Sequence, residues 1–138
     1  MSSYYLVDAN VLIALFREND ASHDRAVQLM KSIAKEDNHL VVLNLTLYEC
    51  ATVLSMKIGM ERAKQFYLHY NTVIEKVIQF DEQLEDKAWR IFLKQKKKGT
   101  SFVDCALVAT AKKLGMKDIL TYDKWFKSCG FPLQYTQS

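Results

Sequence analysis

Proline and glycine are scarce in this chain, at one and four residues. That shortage excludes a collagen-like or Pro/Gly-rich low-complexity polypeptide and argues against disorder. Long apolar runs are missing too. None reaches the roughly 20 residues of a membrane-spanning helix, so no membrane partner is expected. The opening residues, MSSYYLVDAN, have neither a basic n-region nor a small-residue cleavage site. They do not read as a secretory signal, and the cytoplasm is the expected compartment. Cysteine is thin and odd in number: Cys50, Cys105 and Cys129, with no C-x-x-C pair. Neither a disulfide framework nor a zinc knuckle fits. Cys50 and Cys105 fall on apolar helical patterns and read as small core residues. His23, His39 and His69 are scattered without H-x-x-x-H spacing and read as surface or loop residues. A strong excess of one charge is also absent. Nineteen Lys and Arg face 16 Asp and Glu, for a net +3, which permits a polyanionic partner without demanding one.

What is present suits one soluble domain spanning residues 1–138, with 49% apolar and 25% charged residues. Short β-rich runs alternate with longer helical ones. Tyr4–Val7, Leu40–Leu43, Val73–Phe80 and Asp118–Tyr122 read as strands, and Pro132–Tyr135 as a possible fifth. Helices are predicted over Val11–Phe16 (with Asn10 as N-cap), Ala21–Lys35, Thr46–Lys57, Met60–Tyr70, Asp81–Gln95 and Ser101–Leu114. Gly115 is placed to end the last of these as a C′ glycine. Strands alternating with helices predict an α/β fold whose parallel sheet is covered on both faces.

Asp8 then raises a question. It sits inside YYLVDANVLIALF, a run that otherwise reads as core. A buried carboxylate must be neutralised, hydrogen-bonded or bound to a cation. Asp8 follows the first strand, and Asp123 follows the DILTY strand, so both reach the rim of the sheet where α/β proteins bind ligands. Glu49 and Asp104 begin helices. Each also fits the capping box, in Thr46-Leu47-Tyr48-Glu49 and Ser101-Phe102-Val103-Asp104, and taken singly capping explains each of them. Asp123 alone fits an N-cap. Together the four acids supply the oxygen-only ligands that suit Mg²⁺ or Mn²⁺. Such ions activate water and hold phosphodiesters. No Ser, His or Cys is placed as a nucleophile beside a base. The remainder of the chain carries 12 acids against 19 bases, or +7. The run Lys94-Gln95-Lys96-Lys97-Lys98 and Lys124 are placed to meet a phosphate backbone, with Lys97, Lys98 and Lys124 the nearest to the acids in sequence. A solvated helix end accounts for the lysine run equally well.

These pieces resemble a known family. LVDANVLIAL, TLYECATVL, SFVDCALVATAKKLGM and ILTYDKWF are similar, in order, to the four acidic motifs of PIN-domain nucleases, and more narrowly to VapC-type toxins of VapBC toxin–antitoxin pairs. The resemblance runs nearly end to end. It implies a three-layer α/β/α fold around a mainly parallel sheet of four to five strands. It also implies a Mg²⁺- or Mn²⁺-dependent endoribonuclease in which Asp8, Glu49, Asp104 and Asp123 bind metal. Asn10, Ser101 and Thr46 would support them. RNA as substrate, a homodimer and a small inhibitory antitoxin are implied by resemblance alone.

Rival readings differ at identifiable positions. A haloacid-dehalogenase-type phosphatase needs an acid two residues after Asp8, where Asn10 stands. A response regulator needs paired acids there and a Lys-Pro after the last strand, but the single proline, Pro132, follows Phe131. A non-catalytic PIN scaffold does not need four intact acids. A free-standing RNA-processing nuclease shares the site and differs only in having no antitoxin.

Overall fold

The computed structural model describes residues 3–131. Four strands, β1 (Tyr4–Val7), β2 (His39–Leu43), β3 (Lys76–Ile78) and β4 (Asp118–Leu120), form one parallel sheet in the order β3-β2-β1-β4. Tyr5 stands opposite both Leu40 and Asp118, which sets the register at the centre. β1, β2 and β4 are buried almost throughout, as parallel strands covered on both faces must be.

Alternation along the strands feeds two cores. Tyr5, Val7, Leu40, Val42 and Leu120 enter one, with α1 (Ala9–Leu15), α2 (His23–Lys35), α3 (Asn44–Lys57) and α4 (Met60–His69). Leu6, Val41, Leu43 and Ile119 enter the other, with α5 (Glu82–Leu93), α6 (Phe102–Leu114) and α7 (Trp125–Ser128). The result is the expected three-layer α/β/α arrangement. In α6 every residue from Cys105 to Ala111 is buried, because the sheet covers one side and α5 another. Among the described residues no helix is long and apolar enough to cross a membrane.

Several boundaries differ from the sequence reading, each for a local reason. α1 begins at Ala9 and is capped by Asp8, whose carboxylate accepts from the Ala9 amide; Asn10 lies inside the helix instead of capping it. α3 begins at Asn44, so Thr46 and Glu49 are interior positions and form no capping box. Asn44 takes the bonding role there: its Oδ1 accepts from the amides of Leu45 and Phe80, tying the start of α3 to the end of β3. β3 is shortened to three residues at the sheet edge. The strand expected over Pro132–Tyr135 lies outside the described residues. Asp81 caps α5 through Leu84, and Gly115, at φ 65°, ends α6 as predicted.

The order β3-β2-β1-β4 also locates a crevice. From β1 the chain proceeds to β2 on one side, while β4 joins on the other. That reversal opens a cleft at the carboxyl ends of β1 and β4, where doubly wound sheets bind ligands.

Candidate active site

Asp8 leaves the end of β1 and points into that cleft's floor. It is only 8% exposed. Its Oδ1 accepts from the Ala9 amide at 2.7 Å, and its Oδ2 accepts from the Thr121 hydroxyl at 2.7 Å. Burial pushes the Asp8 carboxyl up to about 6, against the opposing pull of these two bonds; the charges of Glu49 and Asp123 push the same way as burial. Asp8 is thus held in place without being neutralised by any basic side chain among the described residues.

Thr121 is the hub that sequence reasoning missed. It is fully buried just past β4. Its hydroxyl donates to Asp8 and accepts from Asn10 Nδ2 at 3.3 Å and from the Asp123 amide at 3.0 Å. That uses its one donor and both acceptor sites. Asn10 completes the lattice by accepting from the Tyr122 amide through Oδ1 at 3.3 Å. One hydroxyl and one amide therefore lock the β4 exit against the start of α1 and set the relative positions of Asp8 and Asp123. Thr121→Val leaves a buried Asp8 oxygen unpaired, which costs about 1–3 kcal/mol. Loss of such an orienting bond is expected to lower metal affinity or activity at the cleft about 10–100-fold. Thr121→Ser restores the hydroxyl and is expected to recover both, as read by thermal melts and initial rates.

Ser101 caps α6, its Oγ accepting from the amides of Val103 and Asp104 at 3.1 and 3.4 Å. That cap aims the first turn of α6, and with it Asp104, toward the cleft. Ser101 therefore acts on the site through the backbone. The Asp104 carboxyl is pushed up to about 7, first by burial and then by the charges of Asp8, Asp123 and Glu49. Glu49 stands on α3 as an exposed residue, yet desolvation still raises its carboxyl. Asp123 is exposed, and its Oδ1 accepts from the Trp125 amide at 2.9 Å, in the turn into α7. The N-cap position of α7 is Lys124, so Asp123 braces the turn one residue before the cap, while its charge is also felt by Asp8 and Asp104.

The remaining predicted residues divide. Thr46 is fully buried on α3, but its hydroxyl has no hydrogen-bond partner among the described residues and holds none of the acids. Lys97, Lys98 and Lys124 are exposed, and none forms an ion pair with the four acids among the described residues. Cys50 and Cys105 are buried beside Glu49 and Asp104. Burial raises both thiols, that of Cys105 to about 11, so neither supplies a thiolate nucleophile near neutral pH.

Among the described residues no three His, Cys, Asp or Glu side chains are gathered closely enough to hold a metal ion as they stand. The acids make an electrostatic basin that is not a closed ligand cage. Its chemistry nevertheless fits a hard divalent cation. The donors are all oxygen, the charges of neighbouring acids raise the Asp8 and Asp104 carboxyls, and no Lys or Arg pairs with the four acids among the described residues.

A PIN-domain family model matches residues 5–132. This chain belongs to the PIN-domain family. Within that family it is 27% identical over 128 residues to the 23S rRNA-specific endonuclease VapC20 of Mycobacterium tuberculosis, covering 91% of this chain and 93% of that protein. The crystal structure of VapC20, described as a sarcin-ricin loop-cleaving toxin, superposes with a TM-score of 0.81 at 26% identity, covering 94% and 97% of the two chains. VapBC2 from Rickettsia felis, bound to a promoter DNA fragment, matches at TM-score 0.72 and 17% identity over 91% and 92%. FitAcB from Neisseria gonorrhoeae matches at 0.69 and 20% over 92% and 94%. The last two likenesses establish the fold. The PIN-domain assignment agrees with the order of the four acidic motifs and with the three-layer architecture.

Proposed function

We propose that this PIN-domain protein is an endoribonuclease that hydrolyses RNA phosphodiester bonds with Mg²⁺ or Mn²⁺, and that it is the toxin of a toxin–antitoxin pair. The observation that carries the reading is that the charges of Glu49 and Asp123 bear on Asp8, and those of Asp8, Glu49 and Asp123 on Asp104, with no cationic partner among the described residues, in a chain similar along its length to a ribosomal-RNA endonuclease. Asp8, Glu49, Asp104 and Asp123 would hold the metal. When bound, a divalent ion lowers the pKa of water and stabilises charge on phosphate oxygens. The protein's own contribution is placement. Thr121 and Asn10 fix Asp8 and the Asp123 backbone, and Ser101 fixes the turn that bears Asp104. Asp8 and Asp104 must shed protons to act as ligands, so metal binding strengthens as pH rises through their raised pKa values.

The antitoxin reading is supported by an apolar groove of about 640 Å³ between α3 and α4, lined by Met56, Met60, Tyr67 and Leu68. Those four side chains are strongly exposed. Phe66 of the same aromatic segment is buried core, while Tyr67 faces out. α3 also carries Glu49, so a protein lying in this groove would run toward the cleft. A homodimer belongs to the same proposal.

Purified protein incubated with total RNA and Mg²⁺ or Mn²⁺ is expected to give discrete fragments whose ends map to few sites. Chelator should abolish them. Random decay that persists in chelator would remove the nuclease reading.

A further inference from the structure

α6 joins the acidic cleft to a second, oppositely charged surface. A groove of about 320 Å³ lies between α5 and α6, and four of its six lining residues are Lys87, Arg90, Lys112 and Lys113. All four are exposed. Lys87, Arg90 and Lys94 recur three and four residues apart, so they share one face of α5. Successive charges on that face rise about 4.5–6 Å along the helix. Past Lys94, the exposed Lys96, Lys97 and Lys98 continue toward Ser101, the cap of α6. Eight of the chain's 19 basic residues thus follow one track.

Ordinary explanations cover only part of this track. Favourable placement near a helix C-terminus accounts for Lys112, Lys113, Arg90 and Lys94, but not for Lys87 in the middle of α5. Asp86 pairs with Arg90 at 2.9 Å, with both side chains well exposed, and such a pair neutralises little. Lys113 donates to the neutral Gln83. No acid lines the groove.

We infer that this groove holds the sugar–phosphate backbone of the RNA beyond the position of cleavage. The substrate would then be an extended strand laid from the carboxylates along α6 and α5. The inference rests on the RNA-cleavage reading above. Asp104 and Lys112 are eight residues apart on one helix, about 12 Å along its axis, a reach of a few nucleotides. A regularly spaced row of cations suits a repeating backbone better than an acidic polypeptide with irregular charges. Backbone contacts position a strand without reading its bases, so the groove sets affinity and leaves the choice of cleavage site to the cleft.

Fluorescence anisotropy with the full chain tests this. Labelled oligouridines are titrated in chelator, where no turnover occurs, across a salt series. One probe is a trinucleotide and the other is several times longer. The double variant Lys87→Gln/Lys112→Gln removes two exposed cations that no described hydrogen bond uses. It is expected to weaken the long probe about tenfold and to flatten its log K against log salt by about 1.4, at about 0.7 per phosphate contact. The trinucleotide should bind both proteins alike, and Lys87→Arg/Lys112→Arg should restore the slope. Equal slopes for wild type and the Gln variant would overturn the groove assignment. So would a wild type that binds polyglutamate but not the long oligouridine. Cleavage is scored separately with metal present. Groove-dependent binding without any cleavage keeps the backbone contact in this groove and removes the nuclease reading together with the placement beyond a cleavage position.

Discussion

Asp104→Asn is expected to lower metal-dependent RNA cleavage by about a thousandfold or more while raising the melting temperature of the metal-free protein. The two effects share one cause. Asp104 is half-buried among Asp8, Glu49 and Asp123, and each of those charges raises its pKa. Its ionised form is therefore unfavourable in the empty cleft. Asparagine keeps the shape and removes the one charge that burial and the charges of Asp8, Asp123 and Glu49 make unfavourable. The same change removes a carboxylate from the metal's ligand set. A ligand that contributes about 4 kcal/mol to transition-state stabilisation is worth about three powers of ten in rate. Asp37→Asn is a suitable control, since Asp37 is exposed at φ 54°, a conformation that asparagine tolerates. It should change neither quantity. An Asp104→Asn protein that keeps more than about a tenth of the activity would show that Asp104 is no ligand.

The metal-free protein should lose stability as pH rises from about 4 to 8. Asp8 and Asp104 have native pKa values of about 6 and 7, against 3.8 for an ordinary aspartate. In that window the native state holds more protons than the unfolded chain. Stability from these groups is therefore complete below about pH 4 and is lost as each native pKa is passed. Asp8, nearly buried, is shifted by about two units, which corresponds to roughly 2–3 kcal/mol. For a chain of this size the melting temperature in chelator should fall by on the order of 10 °C between pH 5 and pH 8. Saturating Mg²⁺ or Mn²⁺ should flatten or reverse the trend, because binding needs the carboxylates ionised. Differential scanning calorimetry with and without metal decides this. A metal-free melting temperature that stays level or climbs across the window would mean that burial and the neighbouring charges do not raise the Asp8 and Asp104 carboxyls.

Much of the fold was legible because a fully covered parallel sheet writes itself as short apolar runs. YYLV and LVVL are such runs and lie in strands, and the Ile119-Leu120 pair forms the rest of β4 behind a buried acid, Asp118. Caps encoded by neighbours were legible as well, as Asp81 and Ser101 show. Bonds between distant segments were not. Asn44 earns its place at the head of α3 by bonding the Phe80 amide 36 residues away, and nothing near Thr46 announces that. Thr121 is the sharper case. Asp8 in an apolar run demanded a partner, and part of the answer lies 113 residues later. Read as the penultimate residue of a strand, Thr121 looked like an ordinary β-former. The strand ends at Leu120, and the freed hydroxyl turns to the acids. Asp8 and Asp123 follow strands and Asp104 begins a helix, as read from the sequence, whereas Glu49 stands inside α3, and the effect of the neighbouring charges on Asp8 and Asp104 needed the structure.

Isothermal titration of Mn²⁺ into chelator-treated wild type and Asp104→Asn, at a pH above the native pKa values of Asp8 and Asp104, tests the central claim that the acidic basin is a cation site. Saturable binding by the wild type, weakened about tenfold or more in the variant and accompanied by proton release that grows at lower pH, is the predicted result. No binding by the wild type, or equal binding by both proteins, would contradict it.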